Sequence, residues 1–400
     1  MAAAFSVAFF AWGTGFYGPA VYLVALEQRN GWPVAEISAA ITFYYLFAAT
    51  LVFFAGRIFE AFGLRPTLIV GAVAMALGLF ILSLADQFWQ VFVAFGVMSL
   101  GWASMSGAAL NFIVAPWFDR RRGFAVSLAF TGANTSGVIM APLLILLVEQ
   151  FGLAIAIWIV SAVMLLVMIP VVVVVLRPKQ EGEHDRADPP QAARPAEGGR
   201  AKKPEPSFGF TRTLRQPAFL TIAIPFALVF TTMVGFLTHQ VAYLSPILGT
   251  VSAGWAVSVT TAAAVIGRLA TGLFVDRFDQ RLMACTVFVV QIIALGLLAA
   301  APSAAVIFIG CALFGVSLGN AAIVPGLLVQ REFPKQHFIR VLSLIVAVYQ
   351  FTYAFGPSLL GVLEQATDSY GAALIACILL DLLAAIIIVS PRLKVWRAGG

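Results

Sequence analysis

The chain has 400 residues, 61% of them hydrophobic and 10% charged, with a formal net charge of +6. A water-soluble domain carries about 25% charged residues to cover its surface, so most of this surface must face something apolar. The basic balance alone would suit a nucleic-acid partner, but the placement of the charges, given below, removes that reading.

A hydrocarbon layer about 30 Å thick is crossed by roughly 20 apolar helical residues. Runs of that size fall near residues 3–26, 34–55, 66–85, 88–115, 123–148 and 152–176. They resume near 217–244, 253–275, 282–301, 304–329, 340–363 and 370–390. The first run lacks a charged leading segment and is longer than the apolar core of a signal peptide, so a retained helix is expected there. The interval of about 177–215 holds Glu181, Glu183, Asp188-Pro189-Pro190, Gly198-Gly199 and Lys202-Lys203-Pro204. Such a stretch cannot bury a core and is expected to be a linker. It would join an N-terminal six-helix bundle over 1–176 to a C-terminal bundle with a short tail over 216–400. The three cysteines, Cys285, Cys311 and Cys377, fall inside apolar runs and read as small buried hydrophobes.

With the first helix starting inside, 22 of the 24 Lys and Arg residues fall in the loops, linker and tail of one face. Positive charge accumulates on the cytoplasmic side of membrane proteins, so both termini are expected there. Arg29 lies in the first outer loop, and Arg268 lies within an apolar run. A repeat supports the two-bundle reading. Gly56, Glu60, Phe62 and Arg65 after the second run recur as Gly272, Asp276, Phe278 and Arg281 after the eighth, each 216 positions later. Ser127-Leu128 recurs as Ser343-Leu344 at the same offset, as an internal duplication requires.

These loops resemble the signature of the major facilitator superfamily, Gly-x-x-x-Asp-Arg-x-Gly-x-Arg/Lys. The second copy runs from Gly272 through Asp276 and Arg277 to Arg281; the first keeps Gly56, Gly63 and Arg65, with Glu60 in place of Asp and Ala61 in place of the central Arg. More narrowly, several segments resemble the monocarboxylate-transporter and oxalate/formate-antiporter branch. They are Asn30-Gly31-Trp32-Pro33, Arg120-Arg121-Arg122-Gly123, Gly132 with Gly137, His239, and Gly267-Arg268-Leu269-Ala270-Thr271-Gly272. Ala264 stands where eukaryotic monocarboxylate carriers usually have an Asp one turn before the arginine. The resemblance implies an all-α membrane protein with twelve transmembrane helices in two pseudo-symmetric six-helix bundles.

Arg268 is the leading candidate for substrate contact. A guanidinium in the hydrocarbon costs roughly 2.5–3.5 kcal/mol on insertion scales, so it should face a cavity or a partner. Its planar fork suits a carboxylate. His239 could bind an anion or carry a proton. Asp381, an acid inside an apolar run, could carry a proton or hold a structural partner. Tyr17, Asn320, Tyr349 and Tyr353 offer polar groups on helices that line the central path in the superfamily. By the same resemblance, Glu60 and Asp276 would meet the N-termini of helices 11 and 5, gating the cytoplasmic side with Gly56, Arg65, Gly272, Arg277 and Arg281. Acids there would meet the positive ends of helix dipoles.

The sequence lacks a Gly-x-x-x-x-Gly-Lys-Ser/Thr phosphate loop and a His/Cys/Asp/Glu cluster with metal-ligand spacing. No enzyme, cofactor or metal is expected. The expected activity is secondary active transport of a small organic anion, such as a monocarboxylate, by alternating access through proton symport or anion exchange. The expected setting is a monomer spanning the inner (plasma) membrane, with lipid and the anion as partners. A drug or metabolite exporter of the same fold is the alternative, and a channel a more distant one.

Overall fold

The computed structural model describes residues 1–114, 122–176, 214–274, 279–300, 303–334 and 337–398. The linker expected at 177–215 therefore falls almost wholly outside the described residues, as do Asp276 and Arg277. Long apolar helices account for the chain: α1 (Ala2–Asn30), α2 (Val34–Phe62), α3 (Leu64–Ser83) and α4 (Phe88–Val114). The run Arg122–Pro170 follows, broken at Gly152, whose φ of 79° and ψ of 165° are not helical. The part before that glycine is α5 and the part after it α6. The second half contains α7 (Pro217–Leu248), α8 (Thr250–Phe274), α9 (Gln280–Ala300), α10 (Ala304–Glu332), α11 (338–367) and α12 (Tyr370–Ala398). Twelve crossings place both termini on one side, called the terminal side below.

Exposed apolar side chains mark the lipid-facing surface. On α9, Leu282, Val289 and Ile293 are 56%, 40% and 50% exposed, at the spacing of one helical stripe. The first turn between helices also explains a charge that did not follow the pattern. Arg29 donates to the carbonyls of Ser83, at 2.7 Å, and Ala85, and Asn30 Nδ2 donates to Ala85 O at 3.2 Å. The arginine thus ties the α1–α2 turn to the end of α3, and Gly31 makes the turn at φ 68°.

Four helices are irregular well inside their length. A π-helical turn spans Gly13–Tyr17 in α1, α4 breaks at Ser106, α10 turns at Ala322–Ile323, and α11 breaks at Ala354–Phe355 before Gly356 and Pro357. Packing is close between α8 and α10. A methyl group on Gly315 or Gly319 would overlap the carbonyl oxygens of Thr260 and Ala264. Backbones this close are a common way for membrane helices to associate. Gly319→Ala should therefore cost about 1–3 kcal/mol through overpacking. The measurement is the melting temperature of the purified protein, with Gly296→Ala, where the added carbon meets open space, as an unaffected control.

Candidate functional site

The α8–α10 contact positions Arg268. Its Nε donates to the carbonyl of Gly319 at 3.1 Å. Its two terminal nitrogens have no hydrogen-bond partner among the described residues, and the side chain is only partly buried. One edge of the guanidinium is thus fixed while the fork that suits a carboxylate is left open. From the other half, Tyr17, 7% exposed, lies close enough to Arg268 to interact with it electrostatically. Tyr17 packs on Gly137 of α5, where an added carbon would also strike Thr261 of α8. Arg268 and Tyr17 are therefore brought together where the two halves meet.

Aromatic rings form a wall from this point across both halves. Trp12 contacts Phe130 at 5.4 Å and Trp102 at 5.0 Å, and Trp102 stacks on Phe16 at 6.3 Å. Phe16 meets Tyr45 at 6.5 Å, and Tyr45 meets Tyr353 of α11 edge-on at 5.8 Å. Tyr349 stacks on Phe230 of α7 at 4.3 Å. Tyr349 and Tyr353 are thus wall residues. Asn320 directly follows Gly319 but lines a different space, a groove between α8 and α9.

Away from the terminal side, hydroxyl groups close the two halves on each other. Ser358 Oγ donates to Thr42 Oγ1 at 2.7 Å, and Ser258 Oγ donates to Val138 O at 2.6 Å. Gly361 sits against Ser38 and Ala35, and Gly254 against Pro142. Among the described residues no such seam joins the terminal-side parts of these helices. His239 belongs to this seam and is fully buried. Its Nε2 lies 2.9 Å from the carbonyl of Pro357 and 3.2 Å from Ser38 Oγ, whose own hydrogen goes to Val34 O at 2.7 Å. A carbonyl can only accept, so Nε2 carries the proton, and Nδ1 accepts from Tyr370 Oη at 3.0 Å in the neutral ring. The histidine bridges the halves beyond the Arg268 level.

Asp381 lies elsewhere, fully buried inside the C-terminal half. Thr232 Oγ1 donates to its Oδ1 at 2.7 Å, Gln291 Nε2 donates to Thr232 at 2.8 Å, and Ser317 donates to Gln291 Oε1 at 3.0 Å. This chain of bonds links α12, α7, α9 and α10. Arg281, expected in a gating loop, is placed within the same half. It forms a two-pronged pair with Glu332, both bonds 2.6 Å, and donates to Ile388 O at 2.8 Å and Thr221 Oγ1 at 3.1 Å. Arg65 donates through Nε to Leu176 O, tying α3 to the end of α6. Glu60 is exposed on the terminal side, Gly56 has open space around it, and Gly272 lies near the end of α8.

Several residues of the site were not singled out from the sequence. Ser38 and Thr42 stand four apart, on one face of an apolar helix, and that spacing was the available signal. Trp12, Phe16, Tyr45 and Trp102 had none, because aromatic residues in membrane helices face lipid or core by default.

The profile of the Major Facilitator Superfamily matches residues 3–357 and 240–398. The chain belongs to this superfamily. It is 27% identical over 302 residues to the MFS transporter asaE of Aspergillus flavus, covering 73% of the chain and 62% of that protein. It is 28% identical over 236 residues to the Fujikurins efflux protein of Gibberella fujikuroi, covering 58% of the chain and 47% of that protein. It is 27% identical over 320 residues to Monocarboxylate transporter 13 of Bos taurus, covering 78% of the chain and 70% of that protein. The chain thus spans less than two thirds of the length of the two fungal relatives. Among solved structures, a mutant of the nucleoside transporter NupG superposes with a TM-score of 0.77 at 11% identity, covering 97% of this chain and 98% of that one. A bacterial homologue of the human lysosomal transporter Spinster gives 0.71 at 14% identity, covering 96% and 95%. The fold is that of a major facilitator transporter.

Removing one partner of a buried ion pair strands the other. Glu332→Ala should therefore destabilise the protein by an amount near the lower end of roughly 3–5 kcal/mol, because Glu332 is 24% exposed. Thermal unfolding in detergent measures this, and a melting temperature equal to wild type would refute the structural role given to the Arg281–Glu332 pair.

Proposed function

We propose that the chain is a secondary transporter for a small organic anion, a monocarboxylate in the first instance, working by alternating access. The observation that carries the reading is Arg268, fixed at the meeting of the halves by Nε, with neither terminal nitrogen bonded to another described residue. A carboxylate would take those nitrogens in two parallel bonds, with the Tyr17 hydroxyl beside it. The aromatic wall would hold the organic part of the substrate. Bovine Monocarboxylate transporter 13 among the relatives supports this substrate class.

The positive charges assign the terminal side to the cytoplasm. In that orientation the hydroxyl seam closes the outer side and the molecule faces inward. Opening the seam while closing the loops around Glu60 and Asp276 would expose Arg268 to the outside. His239 and Asp381 are the two candidates for a proton carried with the anion; exchange of one anion for another needs neither. The working unit is a monomer in the plasma membrane.

A second reading is export of a larger metabolite. The row of rings from Trp12 to Tyr353 favours it, because stacked aromatic surface suits a bulky apolar body. The Fujikurins efflux protein among the relatives is named for efflux.

Purified protein in liposomes should take up lactate, pyruvate, formate or oxalate saturably. Arg268→Gln should abolish the uptake, and Arg268→Lys, which keeps the charge but loses the fork, should weaken affinity about tenfold or more. Full activity in both variants would sink the anion assignment. For the seam, His239→Phe removes the bonds to Pro357, Ser38 and Tyr370. A cysteine placed at Ala35 should then react faster with a membrane-impermeant thiol reagent added outside; unchanged labelling would reject His239 as a latch.

A further inference from the structure

Helices α8 and α9 both pack on α10 and leave a groove of about 650 Å³ between them. Ala270 and Thr271 of α8 form one wall, Met283 and Val290 of α9 the other, and Ser317 and Asn320 of α10 the floor. The flanking residues Leu269 and Leu282 are 67% and 56% exposed, so the groove opens sideways, toward lipid, not into the space between the two halves. Its volume lies within the range of small-molecule pockets, about 300–1,000 Å³.

One polar atom in this apolar lining is unsatisfied. Asn320 is 3% exposed, and its amide bonds the carbonyl of Val316 at 2.9 Å. Because a carbonyl cannot donate, Nδ2 must face Val316, and Oδ1 is left buried without a partner. In hydrocarbon there is no water to supply the missing bond. Ser317, by contrast, has two acceptors within reach of its one hydrogen, Val287 O and Gln291 Oε1, both at 3.0 Å. At the terminal end of the groove, Asp279 Oδ1 accepts from the N–H groups of Arg281 and Leu282 at 3.0 and 3.1 Å. The apolar lining of the groove disfavours a charged ligand. The complement of this surface is an uncharged molecule with an apolar chain and one O–H donor.

We propose that the groove is a binding site for an uncharged hydroxyl-bearing amphiphile that enters from the bilayer and donates a hydrogen bond to Asn320 Oδ1. The ligand is either a lipid with a free hydroxyl or a free long-chain alcohol. Its chain lies along Met283 and Val290, and its hydroxyl sits one residue from Gly319, whose carbonyl holds Arg268. The site is separate from the anion site in both charge preference and route of entry.

The probe is a diazirine-bearing hexadecanol, photolysed on the purified full-length protein, with labelled peptides identified by mass spectrometry. Saturable labelling of α9 and α10 is expected, displaced by hexadecanol and not by hexadecane. Asn320→Leu should raise the concentration needed for half-labelling roughly 5–10-fold, the equivalent of about one net hydrogen bond. Val290→Trp, which fills the groove and keeps Asn320 in the chain, should abolish labelling even if Asn320→Leu fails to fold. Solvent extraction of the purified protein separates the two sources. A hydroxyl-bearing lipid present in wild type and lost from Val290→Trp identifies a resident lipid; an extract with none, together with hexadecanol binding, identifies a free alcohol. Competition by hexadecane as strong as by hexadecanol, or labelling equal in wild type and Val290→Trp, would overturn the proposal.

Discussion

A positive charge held among membrane helices must be solvated by the protein, and the arrangement around Arg268 follows from that requirement. The guanidinium receives one carbonyl, that of Gly319, because α10 runs against α8 with nothing larger than glycine at two contacts. Bulk at either glycine would force the helices apart and carry the carbonyl away from Nε. Among the described residues the cation is then only partly compensated, and its remaining donors await an acceptor. An internal carboxylate would have neutralised it; Ala264 stands one turn away instead. The binding capacity proposed for this protein rests on that incomplete solvation.

Irregular backbone recurs inside four of the helices. A spanning helix normally satisfies its own peptide groups, and departures are tolerated where the backbone lines a cavity or is covered by protein. The π-turn of α1 ends at Tyr17, the turn of α10 follows Ala321, and the break in α11 follows Tyr353. In α11 the break also presents the Pro357 carbonyl to His239. That carbonyl helps to hold the histidine that reaches Ser38 across the seam. Within the C-terminal half, side-chain networks centred on Asp381 and Arg281 bind its helices to one another.

The helices, the two halves and the grouping of charge were legible because they follow from local composition and period. One boundary was harder to see: Arg122–Pro170 stays continuous by hydrogen bonding and is divided only by the backbone angles of Gly152. Arg268 was legible because a charge in an apolar run is conspicuous wherever it points. The partners of His239 were not, since Ser38, Pro357 and Tyr370 come from three helices distant in sequence. The same holds for the space beside Asn320, a gap left between α8 and α9 where both pack on α10. The burial of Arg281 was hidden for a related reason, because a signature-loop arginine looks like a surface anchor until Glu332 is brought to it.

The seam between the halves is built from hydroxyls, one imidazole and close glycine contacts, with no ion pair among the described residues that join them. Neutral hydrogen bonds contribute about 0.5–1.5 kcal/mol each, so a handful amounts to a few kcal/mol. Ligands with dissociation constants from micromolar to millimolar release about 4–8 kcal/mol on binding. The two quantities are of the same order, so in the proposed alternating-access cycle ligand binding is large enough to offset a closure of this kind and to shift the balance between the two conformations. A modest difference in a ligand's affinity for the two is then enough to redistribute their populations.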